Sequence, residues 1–254
     1  MAGAVFAADA PAGPATTRAV DQQGQPMRIL AIIPAYNEQD CIENTVRGLQ
    51  ACCPGIDYLV VNDGSSDATR QILDERGMRH VDLPVNCGLA AGFKCGMKYA
   101  ERHGYDAAVQ FDADGQHLPE YLEKMAEEME GSHAQIVIGS RVLAGERIAG
   151  ARGLGSRLIS ALIRLTTGAT ILDPTSGLRM YDRSMIHEFS HAFDLAPEPD
   201  AIALLARRGA RVREVPAKMQ ERQGGQSYLD LPHVVRYMAR TCCSILMFQW
   251  FRKD

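Results

Sequence analysis

Val109-Gln110-Phe111-Asp112-Ala113-Asp114-Gly115-Gln116-His117 is the stretch from which the fold is read. The apolar run 107–111 is expected to be a buried strand, and it ends in two carboxylates spaced i, i+2 before Gly115 turns the chain. In extended or turning backbone that spacing can bring both carboxylates within reach of one bound cation. Two acids at the end of a buried strand are costly unless something positive compensates them. Mg²⁺ or Mn²⁺ carrying a diphosphate fits, because hard cations take oxygen ligands and keep phosphate in their shell. The competing reading is a strand-ending acid followed by an N-cap for a helix over 118–130. Asp-x-Asp alone does not decide between them, and the surrounding chain must.

Working outward, residues 28–34 (Arg-Ile-Leu-Ala-Ile-Ile-Pro) form a near-continuous apolar run, the mark of a strand buried on both faces. The run ends in Pro34-Ala35-Tyr36-Asn37-Glu38, before a helix with apolar positions Cys41, Ile42, Val46 and Leu49. A second strand over 58–61 closes in Asn62-Asp63-Gly64-Ser65-Ser66-Asp67, where Ser66 or Asp67 can cap the next helix. A short strand near 79–83 leads through Asn86-Cys87-Gly88-Leu89-Ala90-Ala91-Gly92 into a helix reaching about 102. Beyond helix 118–130, a strand over 135–139 ends in Ser140-Arg141. This repeated strand, loop and helix predicts an α/β fold, a mostly parallel sheet flanked by helices. Ligands then sit at the carboxyl ends of the strands, where each of these polar clusters falls.

The second half is less regular. Residues 152–165 read as a helix with Leu154, Leu158, Ile159, Leu162 and Leu165 on its buried side, ended by Gly168. Asp173-Pro174-Thr175-Ser176-Gly177-Leu178-Arg179-Met180-Tyr181 reads as a turn feeding a strand. A helix over 198–208, a strand over 211–215 and a flexible Gly-rich loop at 222–227 follow, then an apolar helix over about 231–251. Residues 1–26 are expected to be a disordered tail rather than a secretory signal, and Met27 stands as an alternative start of translation.

Composition narrows the class. With 254 residues, 46% hydrophobic and 23% charged, the chain is ordinary globular material, and a net charge of −4 gives no basic footprint for nucleic acid. Its seven cysteines form no C-x-x-C unit, and their odd number argues for reduced thiols in a cytoplasmic protein. No run reaches the length a membrane span needs. A Rossmann dehydrogenase would need G-x-G-x-x-G after the first strand, and Pro-Ala-Tyr-Asn-Glu is unlike it. A nucleotidyltransferase would want a Gly-rich basic loop there, and this one is acidic.

Pro34-Ala-Tyr-Asn-Glu38, Asn62-Asp-Gly-Ser-Ser-Asp67 and Asp112-Ala-Asp-Gly-Gln-His117, in this order, resemble the family 2 glycosyltransferases of GT-A fold. Gly-Ser-Arg141, Thr-Ser-Gly-Leu-Arg179 and Glu-Arg222-x-Gly-Gly-x-Ser227 extend the match over about 28–227, most like the dolichol- or polyprenyl-phosphate mannose and glucose synthases. The resemblance implies an inverting transferase that moves a sugar from a UDP- or GDP-sugar to a polyprenyl phosphate or a glycan precursor. It assigns Pro34, Tyr36, Glu38, Asp63, Gly88 and Asp112 to the nucleotide sugar, and Asp112, Asp114 and Gln116 to Mg²⁺ or Mn²⁺. Asp114 and Arg222 are the implied catalytic residues. Arg141, Arg152, Ser156, Arg222 and Ser227 are the implied phosphate contacts, with Arg222 and Ser227 on a loop suited to close over the diphosphate. Many relatives carry Lys after the loop serine, where this chain has Tyr228. His117 is given no part and is expected to be solvated.

Arg152 and Ser156 stand i, i+4 and can converge on one phosphate. A lipid phosphate is already ionised and needs no base, whereas a sugar hydroxyl does, and Asp173, Glu198 and Asp200 are the acids available for it. The expected domains are the tail 1–26, a catalytic domain 27–228, and an amphipathic helix 229–254. Phe248, Trp250 and Phe251 beside Arg252 and Lys253 suit an interfacial anchor on the cytoplasmic membrane, where a membrane-protein partner could supply further helices. The alternative is a non-catalytic nucleotide-sugar-binding partner of a membrane glycosylation complex.

Overall fold

A computed structural model of the protein describes residues 26–220 and 231–247. The expected tail (except Pro26), Arg222, Ser227, Tyr228 and the Phe248, Trp250, Phe251 cluster lie outside the described residues.

The strand read from the apolar run at 28–34 is β1 (Ile29–Ala35), in the middle of the sheet. It pairs in parallel with β2 (Asp57–Asn62) on one side and with β4 (Ala107–Gln110), the start of the deciding stretch, on the other. Alternation along β1 explains why it has no polar face. Ile29, Ala31 and Ile33 enter one core and Leu30 and Ile32 the other. The first core lies under α1 (Ile42–Cys52) and α4 (Leu122–Ser132). The second lies under α3 (Leu89–Arg102), α5 (Gly150–Thr167), α6 (Arg183–His191) and α7 (Pro199–Arg207). α3 sits so close on β1 that a Cβ at Gly96 would fall 2.3 Å from Ile32 Cγ2. Phe93, Tyr181 and Phe189 then lock α3 to α6, with ring centroids 5.0–5.6 Å apart.

The seven strands run in the order β3-β2-β1-β4-β6-β5-β7, with β3 at His80–Asp82, β5 at Ile136–Ser140, β6 at Arg179–Asp182 and β7 at Val212–Pro216. All neighbours are parallel except β6, which runs antiparallel to both β4 and β5. This reversal positions the site. A strand running backwards begins where its neighbours end, so the turn at 173–178 is delivered to the carboxyl edge beside Asp112 and Arg141.

Several elements differ from expectation. α2 (Thr69–Glu75) starts later than read, with Ala68 at the cap position, and the Asp67 carboxylate reaches the Thr69 N–H at 2.9 Å. A 3-10 turn (Pro119–Tyr121) precedes α4, so the helix read from 118 begins at Leu122. α6 was not read from sequence: its buried Met185, Ile186 and Phe189 make too short a pattern among polar residues.

The largest correction concerns α5. Ile159 and Ile163 are buried, while Leu154, Leu158 and Leu165 are 71%, 51% and 78% exposed. The helix carries two apolar arcs, and the isoleucine arc faces the core. The last helix, α8 (Leu231–Leu246), packs on α5 and α7 and buries Thr241, Ser244 and Ile245. No helix among the described residues is long and apolar enough to cross a membrane.

Candidate active site at the carboxyl edge of the sheet

The loop after β1 is shaped by Asn37, which adopts φ 56, a left-handed conformation that asparagine tolerates better than most residues. Its Oδ1 accepts the Ser66 N–H at 2.9 Å, and its own N–H donates to Ser65 Oγ at 3.0 Å. The Glu38 N–H donates to Thr69 Oγ1 at 2.9 Å. The loops after β1 and β2 are thus tied together, and Asn37, Ser65 and Thr69 are positioning residues that sequence reading did not single out.

Asp63 is 4% exposed and its two carboxylate oxygens accept the Cys87 and Gly88 N–H groups, each at 2.7 Å. Its first task is therefore to hold the loop that starts α3. Gly88 is required there by its φ of 85, since a Cβ would meet nothing within 4 Å.

Together these loops enclose a cavity of about 450 Å³ lined by Pro34, Tyr36, Glu38, Asp63, Gly88, Asp112 and Asp114, with Asn86, Leu89 and Gly92 completing the wall. All the residues that the resemblance assigned to the nucleotide sugar are present. Four carboxylates line the cavity, and none of its described lining residues is Lys, Arg or His. A diphosphate could enter only together with positive charge. That need, and the oxygen-only donor set of Asp112 and Asp114, fit Mg²⁺ or Mn²⁺. Gln116 lies on the same turn, where its N–H donates to Asp114 Oδ1 at 3.0 Å.

His117 corrects the expectation of a solvated side chain. It is 4% exposed and packs on Phe111 at 5.7 Å between ring centroids. Its Nδ1 accepts the Asp112 N–H at 2.9 Å, which leaves the proton of the neutral ring on Nε2, 3.5 Å from Asp112 Oδ2. Gln110 Nε2 approaches the other oxygen at 3.2 Å. A Cβ at Gly177 would stand 3.1 Å from Asp112 Oδ2 and 3.3 Å from His117 Nε2, so only glycine leaves this arrangement undisturbed. The signal in the sequence was Gly177, three residues before the middle of a strand that nothing else placed beside Asp112.

The second cluster sits where β6 enters the edge. Asp173 is fully buried and accepts from the Arg141 N–H at 3.0 Å, Nε at 2.8 Å and Nη2 at 2.7 Å. Thr175 Oγ1 joins Arg141 Nη2 at 3.0 Å to Ser156 Oγ at 3.1 Å. Glu214 braces the turn from β7 by accepting the Leu172 and Asp173 N–H groups at 2.7 and 2.8 Å. Two expected phosphate contacts, Arg141 and Ser156, are thereby brought together. The third, Arg152, is exposed on α5, one helical turn before Ser156. Of the three acids considered as bases, Asp173 is consumed by Arg141, and Asp200 accepts Ser244 Oγ at 2.6 Å. Glu198 has its carboxyl pushed up by burial and by Asp200, against the pull of Arg240 and Arg179.

Comparison with known proteins bears on the family and the fold. A model of the family described as "Glycosyl transferase family 2" matches residues 30–189. The chain is 33% identical over 220 residues to an undecaprenyl-phosphate mannosyltransferase of Micrococcus luteus, covering 80% of this chain and 88% of that protein. It is 32% identical over 216 residues to a polyprenol monophosphomannose synthase of Mycolicibacterium smegmatis, covering 80% and 81%. Among solved structures, glucosyl-3-phosphoglycerate synthase of Mycobacterium tuberculosis, crystallised with Mn²⁺, UDP and phosphoglyceric acid, superposes with a TM-score of 0.66. It is 17% identical, over 90% of this chain and 80% of that one. The fold is therefore GT-A, and the chain belongs to glycosyl transferase family 2 as a glycosyltransferase.

Proposed function

We propose that the enzyme transfers a hexose, with inversion, from a UDP- or GDP-sugar to a polyprenyl phosphate, and that it depends on Mg²⁺ or Mn²⁺. The observation that carries this reading is the Arg141, Asp173, Thr175, Ser156 cluster. Asp173 accepts three Arg141 N–H groups and the Thr175 hydroxyl, so its oxygens are occupied in orienting a guanidinium and two hydroxyls. Such a cluster suits an acceptor that arrives already ionised. The two relatives compared above carry names that specify undecaprenyl-phosphate and polyprenol monophosphate chemistry, in keeping with this assignment.

In this reading Tyr36 and Pro34 offer surface to the base, and Glu38 offers a carboxylate to its N–H groups or to the ribose. Asp112 and Asp114, with Gln116, would hold the divalent cation, which would supply the positive charge to offset the diphosphate and the charge that grows on it as the sugar leaves. His117 and Gln110 hold the Asp112 carboxylate in place. Arg141, Ser156 and Arg152 hold the acceptor phosphate so that its oxygen faces the anomeric carbon opposite the leaving group. Arg222 and Ser227 are proposed to close over the diphosphate from the 222–227 loop.

The exposed Leu154, Leu158 and Leu165, flanked by the exposed Arg157 and Arg164, give α5 an apolar and basic outer face, across the helix from Ser156. That face suits peripheral contact with an anionic leaflet presenting the lipid phosphate. The test is nucleoside diphosphate release from UDP- and GDP-sugars with Mn²⁺, with and without polyprenyl phosphate. Stimulation by the lipid phosphate and its loss in excess EDTA are expected. Unchanged release without lipid or cation overturns the reading.

A further inference from the structure

Away from the carboxyl edge, the far end of α3 carries Glu101, and α6 packs against it with His187 and His191 at i, i+4. One turn of helix places two imidazoles on the same face, and the carboxylate approaches them from the neighbouring helix. Glu101 Oε1 is 2.6 Å from His187 Nδ1 and 3.5 Å from His191 Nδ1, and the two rings are 4.3 Å apart between centroids. Glu101 Oε2 accepts Ser190 Oγ at 2.6 Å, which fixes the carboxylate from behind as an outer-shell partner fixes a metal ligand. Among the described residues this is the one group of three His, Cys, Asp or Glu side chains whose ligating atoms all lie within 4.8 Å of one another.

We propose that Glu101, His187 and His191 form a His₂Glu site for Zn²⁺ that staples α6 to α3, separate from the cation of the transfer reaction. Zinc bonds of about 2.0–2.1 Å place tetrahedral ligand atoms roughly 3.3 Å apart. The pair at 3.5 Å already meets this spacing, and the pair at 2.6 Å opens to it when the ion replaces the shared proton. The imidazole side chains are 68% and 63% exposed, so they can turn to the ion and leave it an open path and a water position. Two nitrogens and one oxygen favour Zn²⁺ over Mg²⁺ or Mn²⁺, which prefer oxygen alone. The active-site acids offer the opposite donor set, so the two sites sort their metals by chemistry. α3 begins at the nucleotide cavity with Leu89 and Gly92 and ends at this cluster, so the staple anchors the helix that forms one wall of that cavity.

The experiment titrates untagged, full-length protein with Co²⁺ as a spectroscopic stand-in and follows thermal unfolding with Zn²⁺. The wild type is expected to take up one Co²⁺ with the intense visible d–d absorption of a four-coordinate site, over and above weakly absorbing Co²⁺ at the active-site acids, and with no sulfur-to-metal charge-transfer band. Zn²⁺ at a hundred-fold excess over Kd is expected to raise Tm by roughly 5–10 °C. His187→Gln/His191→Gln removes both effects, and Glu101→Gln weakens Co²⁺ binding at least ten-fold; all three positions are on the surface, and circular dichroism checks the fold. No Co²⁺ uptake, uptake unchanged in the double variant, or a spectrum dominated by sulfur charge transfer overturns the site.

Discussion

Asp173 has no exposed surface, and Arg141 answers it through three N–H groups, so the pair is a unit whose halves cannot be removed singly without cost. Arg141→Ala is expected to destabilise the protein by about 3–5 kcal/mol, because it strands a buried carboxylate. Arg141→Ala/Asp173→Ala recovers much of that stability, yet stays inactive toward the lipid acceptor. Denaturant unfolding and transfer rates on the same variants separate the two effects, and a double variant that transfers normally denies Arg141 its acceptor role. At the nucleotide end, Asp112→Asn is expected to lower kcat by about 10²–10³, in line with other losses of transition-state charge stabilisation, with circular dichroism unchanged. Full turnover in that variant contradicts the cation assignment. The Asp-x-Asp pair was legible from sequence because two acids after a buried strand demand compensation. His117 was not, because nothing in Gly-Gln-His says that the ring folds back under its own strand end to meet the Asp112 N–H.

Helices show where reading by pattern stops. The strands were legible because β1, β4 and β5 are buried on both faces and so read as unbroken apolar runs. α5 misled because a helix with leucines on one arc and isoleucines on another offers two faces, and periodicity does not say which meets the core. Its outer leucines give an expectation for function. Leu154→Ser/Leu158→Ser/Leu165→Ser leaves stability nearly unchanged, since exposed positions seldom matter. Each leucine buried in an acyl layer is worth roughly 1.5–3 kcal/mol, so flotation with anionic vesicles should fall by well over ten-fold. A chain ending after Leu246 compares the helix face with the terminal aromatic cluster. Binding unaffected by the triple change removes α5 from the membrane account.

Under α8, Glu198 adds a pH dependence. Its carboxyl is raised by burial and Asp200, so the fold favours the protonated form. That contribution is full below the ordinary carboxylate pKa and is lost as pH rises through the elevated one. Glu198→Gln is therefore expected to stabilise the protein relative to wild type at neutral pH and not at pH 4, in paired thermal melts. Equal effects at both pH values contradict the shift.

At the scale of the molecule, one sheet edge holds two sites of different chemistry. An acid-lined cavity lies at the ends of β1, β2 and β4, and a guanidinium and hydroxyl cluster lies where β6 enters beside β5. The reversed β6 makes this adjacency, and the reversal was not visible in a sequence whose other strands alternate with helices as parallel sheets do. The first site suits a nucleoside diphosphate sugar with its cation, and the second an acceptor that is itself an anion. The claim that joins them is that the nucleophile is a lipid phosphate. It is tested most directly by following labelled sugar from its nucleotide into an organic phase, offering polyprenyl phosphate or the corresponding polyprenol as acceptor. Transfer to the phosphate and none to the alcohol is the predicted result, and equal transfer to both, or transfer to neither, contradicts the account.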